Sequence, residues 1–503
     1  MVDLIRRLRV GGTYWGARPS LPAVYVLSRC SAGRGAVLDL HKDLPVVRWR
    51  EGRAQPAAGG DVDIRGECDP WHMLFSAAAY ITDEVDDVCL VALLLGVPSY
   101  LYNGATKCLE SIDDDSSALL DQLLPGSFEN PFTGQPMTVR EAAELCGFWR
   151  CLIDSNRGID GGLGFAFWKQ SHVAPLLWNG SRPFRFHRSA RDVSGEASVA
   201  IWRARTGSDA VAELERRGVG LVEVEDGFLR SRGLGADCIP PLSITVDRLG
   251  PHFDPSDPSE LEQLLQDEDF DGEILSRARQ LRHVIVDSGL GKYEQATIVL
   301  ERPAGGRRHI LVPGQVEDDR SVRAGGCGLV SNLELLKKVR AGTPEAYILY
   351  KPHPDVLAGH RRGAISDRLA LEHADQIVGE LPISSLIAMV DEVHVNTSLA
   401  GFEALLRGKA VTTYGVPFYA GWGLTRDFGP VPSRRTAKRS LDELVAATLL
   451  LYPRYLDPVT GLPCPAEVVV ARLCAADAIE PNFIVGMRRL QGKLARRLRS
   501  LVQ

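Results

Sequence analysis

The chain has 503 residues, 45% hydrophobic and 24% charged, with a formal charge of −6 at pH 7; this length exceeds one hydrophobic core and suggests about three domains of ordinary globular type. The acidic balance leaves no surplus of basic residues to neutralise a phosphate backbone, which argues against a bulk nucleic-acid binder. The ten cysteines form no Cys-x-x-Cys pair and have no histidine cluster beside them, so zinc is not expected and a reducing cytoplasm fits best.

The opening MVDLIRRLRVGG is too short and too charged to hold a signal peptide's apolar region. Residues 1–150 are rich in loop formers, with one informative stretch, AYITDEVDDVCLVALLLGVPSYLY (79–102). Its apolar run Val88–Val97 is about half a membrane span, so no bilayer crossing is expected. Shifted by 312 positions, the stretch lies over EVHVNTSLAGFEALLRGKAVTTY (392–414) and matches at Ala92/Ala404, Leu93/Leu405, Leu94/Leu406, Gly96/Gly408 and Tyr102/Tyr414. A strand, a helix closing on glycine and a second strand recur, so residues 1–150 are read as a degenerate, partial α/β copy of the later unit. At the polar positions the copies differ: Asp86 faces Ser398 and Val91 faces Glu403.

Further on, short β-branched runs alternate with helix-length segments: SVAIW (198–202), GLVEVEDGF (220–228), HILVPG (309–314), AYILYKPHP (346–354), EVHVNTS (392–398) and AVTTYG (410–415). This grammar predicts parallel sheets covered on both faces. Two Rossmann-like domains are expected, 151–302 and 303–460, facing a cleft at the carboxyl ends of their strands, where ligands bind in such sheets. Residues 461–503 are expected to form a helical basic tail. Its last stretch, GMRRLQGKLARRLRSLVQ (486–503), has six Lys/Arg, no acid, and Leu490, Leu494, Leu498 and Leu501 at helical spacing. Such a helix either packs back on the protein or meets an anionic membrane surface.

Four segments carry candidate chemistry. EDGFLRSRGLG (225–235) sets Glu225 and Asp226 at a strand end, where a carboxylate can accept a proton or bind sugar hydroxyls, with Arg230 and Arg232 as positive charge nearby. LVPGQVEDDRSVRAGG (311–326) puts Gln315, Glu317, Asp318, Asp319 and Ser321 on a strand-end loop. In YKPHPDVLAGHRRG (350–363) two prolines fix the backbone around His353, whose imidazole can donate to a phosphate or a leaving oxygen. In VNTSLAGFEALLRGK (395–409), Thr397 and Ser398 open a helix whose free amides suit a phosphate, and Glu403 follows within reach of a ribose diol. Three of these segments alone have a plain alternative as a cap, turn or loop, whereas the motif at 311–326 is unusual enough to carry weight.

Together they resemble the KpsC-type capsule polysaccharide β-Kdo transferases. The likeness runs over about 165–430 through GFAFWKQ, EDGFLRSRGLG, PPLSITVDRLGPHFDPSDPSELEQLL, GQVEDDRSV, YKPHPDVLAGHRRG and TSLAGFEALLRGKAVTTYGVPFYAGWGLT. The resemblance implies a GT-B enzyme that transfers Kdo from CMP-β-Kdo with retention to a lipid-linked glycan acceptor, with one complete module where KpsC has two. By position it makes Asp319 the nucleophile, with Glu317 and Asp318 as rivals. Asp226, ahead of Glu225, is the acceptor-side base, and His353 contacts the CMP phosphate. Gln315, Ser321, Lys351, Pro354, Thr397, Ser398 and Glu403 are donor-binding; Arg230 and Arg232 pair with Kdo or acceptor charge. The family loop often begins Asp-Gln, whereas Gly314 precedes Gln315 here. No metal or other cofactor is expected, since CMP leaves as a stable phosphate monoester. Capsule assembly proteins and the inner face of the cytoplasmic membrane are the expected surroundings. The same fold with another nucleotide sugar, and an inactive assembly partner, are the alternatives.

Overall fold

The computed structural model describes residues 1–475 apart from 31–42, 51–60, 113–114, 125–126, 195–196, 230–238, 291–299, 303–305, 360 and 380. It divides into two compact units, Met1–Ile159 with Leu177–Phe184, and Asp160–Leu176 with the chain from Arg185 onward.

In the first unit, strands β1 (Tyr25–Ser28), β2 (Val46–Arg50), β3 (Val62–Arg65), β4 (Ala77–Thr82), β5 (Ser99–Asn103) and β6 (Cys108–Ser111) form a sheet ordered β3-β2-β1-β4-β5-β6, parallel except for β6. The pair β7 (Phe128–Glu129) and β8 (Pro136–Met137) makes a small separate hairpin.

The second unit holds two sheets. One comprises β9 (Ile159–Leu163), β10 (Phe186–His187), β11 (Ser198–Ile201), β12 (Leu221–Asp226), β13 (Ser243–Asp247), β20 (Pro453–Leu456) and β21 (Pro463–Cys464), in the order β10-β9-β11-β12-β13-β20-β21. The other comprises β14 (His309–Pro313), β15 (Tyr347–Lys351), β16 (Gln376–Ile377), β17 (Glu392–Val395), β18 (Ala410–Thr413) and β19 (Arg426–Asp427), all parallel, in the order β16-β15-β14-β17-β18-β19. Every residue of β13 and β14 is buried, as strands covered on both faces require.

Counted from its own first strand, the β14–β19 sheet has the strand order of the β1–β6 sheet. The likeness over 79–102 therefore extends to five parallel strands in the same order, while the sixth runs antiparallel as β6 and parallel as β19. Its shared core is a helix buried through Val88–Leu94 in one copy and Ala400–Leu406 in the other. Each helix starts on a side-chain cap, Asp86 or Ser398. Each is followed by a glycine in the left-handed region, Gly96 at φ 71° and Gly408 at φ 67°, where a side chain would be strained.

Two expected boundaries shift. Residues 151–156 finish the helix Val139–Asn156 of the first unit, so the first lobe of the second unit opens with β9 rather than at 151. The second lobe does not run to 460. After β19 the chain returns, and β20 pairs antiparallel with β13 and then with β21. The return is driven by the buried apolar run Leu444, Val445, Ala446, Ala447 and Leu449, which packs against the helix Gly272–Asp287 of the first lobe. Residues 461–475 are accordingly strand β21 and a helix, Ala466–Cys474. The basic stretch 486–503 lies outside the described residues. No helix among the described residues is long and apolar enough to cross a membrane.

The two lobes are joined by a buried charge cluster and a ring cluster. Glu262 accepts from Arg435 Nε at 2.7 Å and also pairs with Arg434; the Glu262 and Arg435 side chains are 7% and 3% exposed. Phe228 packs at 4.8 Å on Phe418 and near Phe402 and Tyr452. Breaking a buried pair strands the surviving charge. Glu262→Ala is expected to destabilise the second unit by about 3 kcal/mol, read as a lowered urea midpoint; a change within experimental error would show that the cluster does not hold the lobes.

Candidate active site

The loop after β14 is built around Asn332. Its Oδ1 accepts from the Gln315 N–H at 2.8 Å, its Nδ2 donates to Gln315 O at 2.8 Å and Gly363 O at 3.0 Å, and its own N–H donates to Glu317 Oε1 at 2.9 Å. Gln315 then reaches the loop after β17: its Nε2 donates to Thr397 Oγ1 at 2.9 Å, and its Oε1 accepts from the Thr397 N–H at 3.0 Å. Two strand ends are thereby locked in register.

This scaffold separates the three acids. Glu317 is turned onto Asn332, and Asp318 pairs with Arg361 at 3.2 Å. Asp319 caps the helix Arg320–Gly325 through Oδ1, which accepts from Ser321 N–H at 3.0 Å and Ser321 Oγ at 2.8 Å. Of the three, Asp319 lines a cavity of about 790 Å³ within the second unit, and Glu317 and Asp318 do not.

His353, Ser398 and Glu403 line the same cavity, as do Gln315, Ser321, Lys351, Pro354 and Thr397. His353 caps the helix Pro354–Leu357, with Pro354 at its first position. Its Nδ1 accepts from the Asp355 N–H at 3.1 Å, so a neutral ring carries its proton on Nε2, as a donor. Ser398 caps the helix Leu399–Leu406 by accepting from Ala400 N–H at 3.2 Å, and Glu403 lies buried on that helix.

Glu225 and Asp226 reach the cavity from the tip of β12. Glu225 accepts from Arg320 Nη1 at 2.6 Å, and Glu223 from Arg320 Nη2 at 3.1 Å. Burial pushes the Glu225 carboxyl up to about 7, with the Arg320 charge opposing and the neighbouring Asp226 adding to the rise. Asp226 accepts from Lys169 Nζ at 2.9 Å, and that ammonium sits 3.5 Å from the centre of the Trp202 ring.

Two expected donor contacts are employed differently. Lys351 Nζ donates to the carbonyls of Gly379 at 3.1 Å and Leu381 at 2.5 Å, so two of its three N–H groups hold the loop after β16. The Ser321 hydroxyl is engaged by Asp319 and orients that acid. Arg230 and Arg232 lie outside the described residues. Sequence reasoning gave no role to Lys169, Arg320, Arg361 or Trp202. GFAFWKQ marked Lys169 as part of a motif, but no local pattern points from Arg320 to an acid 95 positions away.

Gly314 has a steric reason. A Cβ there would stand 2.8 Å from the Tyr350 hydroxyl and 3.2 Å from its Cε2, and Tyr350 is buried. A side chain at 314 would have to displace the Tyr350 ring.

Two strand-end loops facing across a cavity, one with a capped helix start and the other with paired acids, define a GT-B-like protein with a polar cleft. Residues 198–299 and 278–455 match the model of the capsule polysaccharide biosynthesis protein family. The chain belongs to that family. It is 38% identical over 359 residues to the capsule polysaccharide modification protein LipA of Neisseria meningitidis serogroup A, covering 70% of this chain and 51% of LipA. It is 43% identical over 301 residues to the lipopolysaccharide-processing protein LpsZ of Rhizobium meliloti, covering 59% of this chain and 63% of LpsZ. The chain thus spans about half the length of LipA and under two thirds of LpsZ. Among solved structures, it is similar to the Thermosulfurimonas dismutans KpsC β-Kdo 2,4 transferase, at 31% identity and a TM-score of 0.55 over 63% of this chain and 98% of the other. The β-Kdo 2,7 transferase of the same KpsC gives 36% identity and a TM-score of 0.51 over 62% and 97%.

Introducing the acid as Gly314→Asp is expected to destabilise the second unit by about 1–3 kcal/mol through overpacking. Tyr350→Phe, which removes the nearest clashing atom, should recover part of that loss in the double variant. Strict additivity of the two changes in urea unfolding would contradict the steric account.

Proposed function

We propose that the chain is a retaining glycosyltransferase that moves Kdo from CMP-β-Kdo to a lipid-linked or glycan acceptor in bacterial surface polysaccharide assembly. The observation that carries this reading is the single cavity shared by Asp319, His353 and Ser398, with Glu225 at its other wall. Its family membership and its likeness to the two KpsC transferase modules support the choice of donor.

In the first step an Asp319 carboxylate oxygen bonds to the anomeric carbon as the bond from that carbon to the CMP phosphate oxygen breaks. The electron pair departs with CMP. The His353 Nε2–H and the positive end of the helix Leu399–Leu406 stabilise the departing phosphate, and Glu403 binds the ribose. In the second step an acceptor hydroxyl attacks the same carbon, its proton passes to Glu225, and the ester to Asp319 breaks. Two inversions give retention. Glu225 suits the base role better than Asp226, because a carboxyl near 7 both holds and releases a proton at neutral pH, while Asp226 is engaged by Lys169. No step is routed through a metal. The basic stretch 486–503 would bring the enzyme to an anionic membrane surface beside its acceptor and the capsule assembly proteins.

Incubation with CMP-Kdo and an acceptor glycan is expected to release CMP, with Asp319→Ala and His353→Ala reduced towards background. Absence of release by the folded chain would favour the assembly-partner reading, and release from a different nucleotide sugar alone would redirect the donor. Because Glu225 must be ionised to take the proton, the rate should rise with pH through about 7. Glu225→Gln should lose that limb and about 10²- to 10⁴-fold in rate; an unchanged profile would move the base elsewhere.

A further inference from the structure

The first unit contains a cavity of about 620 Å³ that the proposed reaction does not use. It lies at the amino-terminal ends of β1 and β4, beside Tyr25 and Ser76. Its wall is strongly basic. Arg18 and Arg150 bind Asp69 at 2.8 Å each, Arg18 and Arg157 bind Asp154 at 2.7 and 2.9 Å, and Arg9 stands 3.8 Å from Asp154. Four guanidinium groups therefore share two carboxylates among the described residues. Asp69 is fully buried and Arg150 nearly so. Of the four, Arg9, Arg18 and Arg150 line the cavity, as does Arg6, which pairs with Asp3 at 3.1 Å.

Excess positive charge of this kind is costly to hold in a partly desolvated place. Burial first, and then the charge of Arg18, lower the Arg157 guanidinium from its ordinary value. Two further features point the same way. Trp71 lines the cavity, is 4% exposed, and its indole N–H has no acceptor among the described residues. A buried donor left unmatched is a rare and costly feature. Arg9 ends the helix Val2–Leu8 in the left-handed region at φ 52°, where glycine is the usual occupant. A large basic side chain is kept there against backbone preference, and its carbonyl accepts from Arg150 at 2.9 Å. Two other polar groups of the wall are engaged: the Tyr25 hydroxyl donates to Met73 O, and His72 Nε2 bonds Pro19 O.

We propose that this cavity is a binding site for a phosphate ester, its phosphate taken by Arg9, Arg18 and the Trp71 N–H and its organic part lying against Leu21, Pro22 and Phe75. Phe75, 81% exposed, forms the outer rim. Free phosphates and phospholipid headgroups share this chemistry, and the size of the probe that binds distinguishes them. The site is independent of the second unit's reaction.

The test titrates the full chain with inorganic phosphate by calorimetry, and with vesicles of phosphatidylcholine containing or lacking phosphatidylglycerol by co-sedimentation. Arg9→Gly and Trp71→Phe are compared with the parent, so that phosphate held in the other cavity, or vesicle binding by the basic stretch 486–503, cancels. Arg9→Gly relaxes the backbone and should keep or raise the thermal midpoint while weakening binding about tenfold. Trp71→Phe keeps the ring packing and should weaken binding severalfold. Loss confined to inorganic phosphate would identify a small phosphate ligand, and loss confined to anionic vesicles a lipid headgroup. Equal binding by parent and both variants, or no saturable binding of either probe, would overturn the proposal.

Discussion

Arg320 joins the two sides of the cleft. It sits at the first position of the helix that Asp319 caps, and its guanidinium spans the gap to Glu225 and Glu223 on β12. The side chain next to the proposed nucleophile thus fixes the proposed base. Any rocking of one lobe against the other must break two charge-assisted hydrogen bonds in a partly buried place, where such bonds are stronger than on the surface. The same contact tempers Glu225: burial raises its carboxyl, and the guanidinium limits the rise. Arg320 thus links the geometry of the cleft to the proton affinity of Glu225.

The two matching helices of the repeated sheet carry caps of different charge. In the second unit Ser398 caps its helix with a neutral hydroxyl, leaving the positive end of the helix for an anion. In the first unit the cap is Asp86, which accepts from the Val88 and Cys89 N–H groups and pairs with Arg29. A carboxylate already stands where a phosphate would go, and its counter-charge is stacked 4.8 Å from Trp49. The copy keeps the strand order, the buried helix and the terminal glycine, and occupies its helix start with its own carboxylate. The basic cavity of that unit lies instead at the opposite ends of β1 and β4.

Much of this was legible locally. Apolar strand runs ending in Pro313-Gly314, Lys351-Pro352 or Thr397-Ser398 announce both the parallel sheet and the edge at which its polar residues gather. The 312-residue shift revealed the repeat. What stayed hidden depends on distant partners. EDD reads as three equivalent acids until Asn332 and Arg361 take two of them. Lys351 reads as a charge at a strand tip, yet the carbonyls of Gly379 and Leu381 fix where it points. The return of β20 to β13 joins segments more than 200 residues apart and leaves no periodic trace. Gly314 looks like a missing acid in the sequence; in the fold it is space already filled by Tyr350.

The central claim is that Asp319 is the group that bonds to the sugar. Trypsin should cut after Arg308 and Arg320, isolating His309–Arg320, a peptide that contains Asp319 together with Glu317 and Asp318. Mass spectrometry after brief exposure to CMP-Kdo without acceptor should find one Kdo on this peptide, and fragmentation should place it on Asp319. Turnover with the peptide never modified, or the sugar found on Glu317, Asp318 or a peptide outside the cleft, would contradict the account.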